Sequence, residues 1–246
     1  MQKNTLVAGQ TRSGKTCFLQ DVLISLMHFG HHDYLKIVVL DTKAAAFRDL
    51  KEVVNVVDTH KGVAAALASL VKLLRLRIQK TKLPNSPHDA KSANELAFRI
   101  QKKELAMPFV MVIFDEFADF MQRCKEEGDE CSKNNIQTLA SLGLGLGINL
   151  TFATQAPYKE YIAGVIKNNF ERRISFSLGD FYQEQLILGK QKKGREESAP
   201  SLNCGEFYLR EMGERVKYTS LHAGEFSMKN AANNLRHWGF DFRIKL

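Results

Sequence analysis

The sequence has few cysteines and no long hydrophobic run. No stretch of about 18 or more apolar residues occurs, so a transmembrane helix is not predicted, and the short apolar N-terminus leaves no room for a signal peptide. The four cysteines, Cys17, Cys124, Cys131 and Cys204, show neither C-x-x-C spacing nor a matching histidine pair. This pattern argues against the common zinc sites and against a disulfide framework. We therefore expect a protein of the reducing cytosol, recruited to any membrane complex only by a partner or by a segment outside this chain.

Acidic residues are fewer than basic ones. The 27 Asp and Glu residues stand against 35 Lys and Arg residues, which gives a net charge of +8 and a pI of about 9.3. This balance favours a polyanionic partner without establishing one, because many soluble proteins share it. The 246 residues contain no internal repeat and no low-complexity segment, and they are enough for one α/β domain with a large core. We predict a single domain over residues 1–246.

A glycine-rich loop near the N-terminus matches G-x-x-x-x-G-K-[ST]. It follows the apolar segment 5–8 and precedes a helix whose apolar residues recur every three or four positions. In such a P-loop the backbone N–H groups surround a polyphosphate, Lys15 adds positive charge near the β- and γ-phosphates, and Thr16 ligates Mg²⁺. The sequence thus predicts an ATP site formed by Gly9, Gln10, Thr11, Arg12, Ser13, Gly14, Lys15, Thr16 and Cys17.

A second motif ends a continuously apolar strand at residues 109–114. Asp115 and Glu116 follow at its carboxyl end, where parallel sheets bind ligands. We predict that Asp115 holds Mg²⁺ through its water shell and that Glu116 orients and polarises the attacking water. The alternative is a pair of carboxylates that only caps a strand end, but adjacent carboxylates repel each other unless a cation or water network occupies the site.

The rest of the pattern predicts further elements of a mainly parallel sheet with flanking helices. Strands are expected at 35–40, 53–57 and 149–154, and helices at 60–82 and 94–105. The helix at 60–82 carries a basic stripe, which is interpreted as a solvated face rather than a nucleic-acid surface: Lys72, Arg75, Arg77, Lys80 and Lys82. The charged segment 122–135 is interpreted as a surface loop. Gln155, at the tip of the last strand, is placed to contact the γ-phosphate or the water, although a lone Gln there is more often an ordinary loop residue.

Together these segments resemble the FtsK/SpoIIIE branch of the HerA/FtsK motor superfamily. The resemblance runs over about residues 4–221, and its most specific part is Gly147 to Gln155. It implies a RecA-like ATPase fold with a C-terminal β-hairpin, a ring that is usually a hexamer, and translocation of double-stranded DNA. It also places Asp41 in the nucleotide site, because segment 39–43 stands where the family has Ile-Asp-Pro-Lys. Residues 222–246 would then form a C-terminal extension.

The sequence also departs from this family. Relatives carry an arginine finger where this chain has Leu144, and Arg172 and Arg173 are the nearest candidates to replace it. The competing interpretation is that Arg173 forms an ion pair or stacks at a strand start. The family's helical N-terminal subdomain, membrane segment and winged-helix module have no counterpart here. We therefore expect the motor domain alone, as a fragment or as a compact member of the family.

Residues that touch DNA can be predicted only from their location. A motor that moves along any sequence should contact phosphates through Lys and Arg on loops that face the pore. The alternative is ordinary solvated charge. The candidates are Lys159, Lys167, Lys190, Lys192, Lys193 and Arg195.

Three functions remain open at this stage. The first is a DNA-translocating ATPase for conjugative transfer, chromosome partition or genome packaging. The second is a protein-export motor that works with secretion machinery, against which the basic charge weighs mildly. The third is a nucleotide-gated assembly module that hydrolyses ATP weakly, which Leu144 makes reasonable.

Overall fold

The computed structural model describes residues 3–44, 46–81, 107–162, 164–190, 199–220 and 228–245. The strands in these ranges are β1 Thr5–Ala8, β2 Leu35–Asp41, β3 Asn55–Val57, β4 Phe109–Asp115, β5 Ile148–Thr154, β6 Arg172–Ser175, β7 Glu206–Glu211 and β8 Glu214–Thr219. They form one eight-stranded sheet in the order β3-β2-β4-β5-β1-β6-β7-β8. From β3 to β6 all neighbours are parallel, while β7 pairs antiparallel with both β6 and β8.

Helices cover both faces of this sheet. In the described residues they are α1 Lys15–Phe29, α2 His60–Thr81, α3 Phe117–Glu127, α4 Glu130–Leu142, α5 Lys159–Ile162, α6 Val165–Asn169, α7 Phe181–Leu188 and α8 Met228–His237. Short 3₁₀ segments lie at Arg48–Leu50, Leu144–Leu146 and Ala199–Ser201. No helix in these ranges combines the length and the apolar composition needed to cross a bilayer.

Alternation along the strands divides the core into two layers. In β1, Leu6 and Ala8 pack with α2 to α7, whereas Val7 packs with α1 and α8 on the opposite face. Because successive strand residues point to opposite faces, apolar residues at every position bury both faces of the central strands. Each fully buried large side chain contributes roughly 1.5–3 kcal/mol, so the two layers hold the carboxyl ends of the strands rigidly in register.

The α/β class, the mainly parallel sheet and the C-terminal hairpin are confirmed. The strands predicted at 35–40, 109–114 and 149–154 agree with β2, β4 and β5 within one residue. The strand predicted at 53–57 is shorter, because only Asn55–Val57 pairs with β2 while Val53 and Val54 are buried ahead of it. The predicted helix at 94–105 lies outside the described residues.

The prediction of a surface loop at 122–135 is wrong. This segment belongs to α3 and α4, which are separated by Gly128 in the left-handed region and by Asp129, whose carboxylate accepts the Ser132 N–H at 3.0 Å. Phe120, Cys124 and Ile136 are buried, so the charges occupy only the outer faces of two amphipathic helices. The many charged residues of this segment obscured the helical spacing of its apolar residues.

The C-terminal segment packs into the domain. Phe242 is fully buried; its N–H donates to the Val53 carbonyl at 2.8 Å, and its carbonyl accepts the Ile37 N–H at 2.9 Å. The Asn55 side-chain NH₂ donates to the Ile244 carbonyl, and Asn55 Oδ1 accepts the Ile244 N–H. These contacts cover the β3 side of the sheet, where backbone groups would otherwise lack partners.

Candidate active site

The glycine-rich loop joins β1 to α1 and is anchored on neighbouring strands. The Gly9 N–H donates to the Thr154 carbonyl at 3.1 Å, and the Gln10 N–H donates to the Ser177 carbonyl at 2.9 Å. Ser13 N–H closes a turn onto the Gln10 carbonyl. The loop therefore lies at the carboxyl edge of the parallel strands, with the N-terminus of α1 directly behind it.

Two of its positions require glycine. Gly14 has φ +99°, and a Cβ there would lie 2.9 Å from the Gly205 nitrogen. A Cβ on Gly9 would lie 2.5 Å from Ser13 Oγ. That Ser13 oxygen is buried and has no hydrogen-bond partner among the described residues. The loop is thus a tight cradle that contains an unused polar group.

Lys15 pairs with the two carboxylates predicted for metal binding and water activation. Its Nζ lies 2.5 Å from Asp115 Oδ1 and 3.8 Å from Glu116 Oε2. All three residues are buried. The ion pair satisfies charges that would be costly to bury alone.

Glu116 is held at both carboxylate oxygens. Its Oε1 accepts the Gln155 N–H at 2.8 Å and the Thr154 hydroxyl at 3.3 Å, while its Oε2 lies 3.3 Å from Lys43 Nζ. The backbone at Glu116 is left-handed, with φ +56°. A left-handed conformation costs roughly 1–2 kcal/mol for a residue other than glycine. Such strain at the end of a strand is typical of a functional position.

Gln155 joins the P-loop to β5. The Thr11 hydroxyl donates to Gln155 Oε1 at 3.1 Å. The side chain of Gln155 therefore contacts the phosphate loop while its backbone contacts Glu116. Its contact with the γ-phosphate or the attacking water stays a prediction.

Asp41 organises a turn. Its carboxylate is buried and accepts the N–H groups of Lys43 at 3.1 Å and Ala46 at 3.3 Å. Its contact with nucleotide stays a prediction. The turn carries Lys43, which sequence reasoning did not select as a site residue even though it ends the segment that resembles Ile-Asp-Pro-Lys.

Comparison with known proteins identifies the family at this point. A model of the FtsK/SpoIIIE family matches residues 1–159, which contain the P-loop, Asp115, Glu116 and Gln155. The chain belongs to the FtsK/SpoIIIE family. It is 28% identical over 189 residues to the DNA translocase FtsK of Borreliella burgdorferi, covering 75% of this chain but only 23% of that protein. The chain thus spans less than a quarter of this relative's length.

Solved structures show the same fold. The pCW3 conjugation coupling protein TcpA, in monomer form with ATPγS, has a TM-score of 0.76 at 23% identity and covers 96% of this chain and 65% of its own. The cytoplasmic domain of the type VII secretion ATPase EccC of Thermomonospora curvata has a TM-score of 0.74 at 18% identity, over 94% of this chain and 27% of its own. The RecA-like architecture expected of an FtsK/SpoIIIE domain is confirmed.

The two arginines considered as arginine fingers in this FtsK/SpoIIIE chain lie at the amino ends of the parallel strands, whereas the P-loop lies at the carboxyl ends. Arg172 and Arg173 begin β6, where Arg172 pairs with Thr5, the first residue of β1. Arg173 donates to the carbonyls of Phe170, Ile187 and Lys167. Burial, and secondarily Arg210, lowers the pKa of Arg173. Arg172 pairs with Glu211 at 3.1 Å. A finger role for either, toward a neighbouring subunit, stays a prediction.

A buried arginine, Arg77, binds the segment that contains Leu144, the position where relatives often carry an arginine. Leu144 begins the 3₁₀ segment Leu144–Leu146, and Arg77 donates to the Leu146 and Pro108 carbonyls, both at 2.6 Å. Burial lowers the pKa of Arg77 to about 10, which leaves it charged at neutral pH. The interpretation of Arg77 as part of a solvated stripe is therefore wrong, because its guanidinium joins α2 to β4 and the 3₁₀ segment.

Three predicted DNA-contacting lysines lie on the described surface of this family member. Lys159 in α5, Lys167 in α6 and Lys190 after α7 are exposed, and none has a carboxylate partner among the described residues. Such unpaired cations are available for phosphates. Lys192, Lys193 and Arg195 lie outside the described residues.

Proposed function

We propose that this chain is an ATP-hydrolysing motor domain that translocates double-stranded DNA as part of a hexameric ring. The observation that carries the proposal is the convergence of Lys15, Asp115, Glu116 and Gln155 at one edge of the sheet. Membership of the FtsK/SpoIIIE family, and a relative named DNA translocase, support the choice of DNA as cargo.

The P-loop fits a nucleotide. The unpartnered Ser13 hydroxyl, the glycine cradle and the positive end of α1 supply neutral donors for phosphate oxygens. Lys15 supplies the charge once it leaves Asp115. If Lys15 exchanges the Asp115 carboxylate for a phosphate, its buried ammonium stays paired with a negative charge.

The donors at Thr16 and Asp115 fit Mg²⁺. A hydroxyl and a carboxylate are the hard oxygen ligands that this ion takes, and phosphates and waters complete its shell. Mg²⁺ held by Thr16 and Asp115 would supply positive charge that offsets the negative charge developing on the phosphates. Asp115 would become available for this role if Lys15 moved to the phosphates.

Glu116 is the residue proposed to orient the attacking water. Its carboxylate is buried, ionically paired and fixed by the Gln155 N–H and the Thr154 hydroxyl, so its direction is set by the sheet. Gln155 accepts a hydrogen bond from the Thr11 hydroxyl, so contact of Gln155 with the γ-phosphate would be transmitted to the P-loop. Orientation of this kind accounts for a large part of the catalysis of phosphoryl transfer.

The proposed DNA surface rests on charge. The chain has a net charge of +8, and Lys159, Lys167 and Lys190 are exposed without carboxylate partners in the described ranges. DNA binding through phosphate contacts weakens as salt rises. The logarithm of the binding constant falls with the logarithm of the salt concentration, with a slope of about one per phosphate contact. A weakly hydrolysing, nucleotide-gated module is the second candidate, because Leu144 replaces the family's arginine finger.

The deciding experiment measures ATPase rate with and without long duplex DNA, over a range of protein concentration. We expect DNA to stimulate turnover and the specific rate to rise as rings assemble, since a neighbour completes the site. Lys15→Ala should weaken ATP binding, whereas Glu116→Gln should retain ATP and stop turnover.

Other outcomes would contradict parts of this proposal. Equal loss of ATP binding in both variants would remove Glu116 from its proposed role. A rate that DNA does not stimulate, together with salt-insensitive DNA affinity, would favour protein export. Tight ATP binding with negligible turnover in assembled rings would favour the gated module.

A further inference from the structure

Lys43 is brought to the catalytic carboxylate by the order of the strands. It follows β2, which is the parallel neighbour of β4, and Asp41 stands in register with Asp115. The Asp41 carboxylate accepts the Lys43 and Ala46 N–H groups and so fixes the turn beyond the strand. This turn places Lys43 opposite Glu116.

The Lys43 ammonium joins two carboxylates. Its Nζ lies 3.3 Å from Glu116 Oε2 and 3.5 Å from Asp119 Oδ2. Partial burial lowers the pKa of Lys43, but the attraction of Glu116 and Asp119 outweighs this effect and the pKa lies above its ordinary value. Lys43 is therefore charged at every pH at which the enzyme would be assayed.

The hydrogen bonds of Glu116 show how this cation is used. An ionised carboxylate has about four acceptor positions, two on each oxygen. Oε1 accepts the Gln155 N–H and lies beside the Thr154 hydroxyl, while Oε2 faces Lys43 and Lys15. When Lys15 moves to the phosphates, one position on Oε2 becomes free for a water, and Lys43 still holds that oxygen.

We propose that Lys43 is a positioning residue that keeps the Glu116 carboxylate oriented toward the attacking water after Lys15 has moved to the nucleotide. This inference rests on the proposed hydrolysis of ATP and assigns a further residue to it. Lys43 remains beside Glu116 while the other cation of the site is occupied, so it prevents the buried carboxylate from turning away from the water.

The test compares Lys43→Met with Lys43→Arg and with a matched control. Lys51→Met removes a lysine of similar exposure, 44% against 47%, whose partner is Asp58 outside the site. We expect Lys43→Met to lower kcat by about tenfold or more and to change the Kd of a non-hydrolysable ATP analogue by less than about threefold. Lys43→Arg should recover part of kcat, and Lys51→Met should leave it unchanged.

A double-mutant cycle tests whether Lys43 acts through Glu116. Glu116→Gln is expected to leave at most a very slow rate, which long incubations at high protein concentration would measure. In that background Lys43→Met should cause little further loss, because the group that it positions is already neutral. Full additivity, an unchanged kcat in Lys43→Met, or a rise in kcat would each overturn the inference. A wild-type chain without ATPase activity would instead overturn the proposed function, so the two failures are distinguishable.

Discussion

Lys15 Nζ lies 2.5 Å from Asp115 Oδ1, so the cation expected to bind phosphate and the carboxylate expected to bind metal neutralise each other. Both side chains are largely buried, and Glu116 Oε2 lies 3.8 Å from the same ammonium. Binding of nucleotide alone or of metal alone would leave one of these buried charges unpaired, and an isolated buried charge is costly. This pairing links the occupancy of the two parts of the site.

The first prediction concerns stability without nucleotide. Lys15→Met removes the cation between Asp115 and Glu116, and we expect the free energy of unfolding to fall by about 3 kcal/mol, the usual cost of breaking a buried ion pair. Urea denaturation measures this change. Adding Asp115→Asn should restore part of the loss, because the unpaired charge is then gone. An unchanged midpoint in Lys15→Met would show that the pair contributes nothing to stability.

The second prediction concerns the cradle. Gly14→Ala places a Cβ against the Gly205 nitrogen at φ +99°, so we expect the affinity for an ATP analogue to fall by about tenfold or more. Gly145→Ala is the matched control, since nothing lies within 4 Å of a Cβ there. Isothermal titration compares the two variants. Equal affinity in both would contradict the close packing of the P-loop on Gly205.

The third prediction uses the thiols. Cys17, Cys131 and Cys204 are exposed, while burial, with a smaller effect of Asp129, raises the pKa of the Cys124 thiol to about 11. Because the thiolate is the reactive form, Cys124 should resist alkylation at pH 8 in the folded protein and react in denaturant. Mass spectrometry after a short exposure to iodoacetamide reports each site. Fast labelling of native Cys124 would contradict the packing of α3.

The same measurement tests nucleotide binding. Cys17 follows Thr16 at the start of α1, so an ATP analogue with Mg²⁺ should slow its alkylation while Cys131, on α4, serves as the internal control. Lys15→Ala should abolish this protection. Equal slowing at both thiols would indicate a global change rather than occupation of the P-loop.

The fourth prediction separates the two arginines. Arg173→Met removes a guanidinium bound to three carbonyls, and we expect a loss of about 2–3 kcal/mol of stability. Arg172→Met loses only a half-exposed ion pair with Glu211 and should cost less than about 1 kcal/mol. Denaturation of both variants measures this difference in the free energy of unfolding. If Arg172 also serves a neighbour's site, its loss should reduce turnover about a thousandfold with ATP affinity unchanged.

Mixing subunits tests that last possibility. Arg172→Met combined with Lys15→Ala should regain part of the activity, because one interface then contains an intact half from each chain. If neither Arg172→Met nor Arg173→Met loses turnover, neither arginine is a finger and both are structural. Leu144→Arg should then raise the ATPase rate if this chain has lost a residue that its relatives keep.

The nucleotide site was predictable because its motifs are local. Gly9 to Thr16 is one continuous segment, and Asp115 and Glu116 end an apolar strand that any parallel arrangement would bury. Segment 122–135 was misjudged for a related reason. Its charged residues dominate the composition, whereas Phe120, Cys124 and Ile136 reveal a helix only by their spacing.

Other features depend on contacts between residues far apart in the chain. Lys43 meets Glu116 only because β2 lies beside β4, and Gln155 meets it from β5 on the other side. Arg77 and Arg173 look like surface charges in the sequence, yet each binds carbonyls that other elements bring to it. The sequence by itself determined which residues form the glycine-rich loop and which carboxylates follow the apolar strand, because adjacent residues form those motifs. Only the tertiary structure decided which cations face Glu116, because that choice depends on strand order and on the cost of burying an unpaired charge.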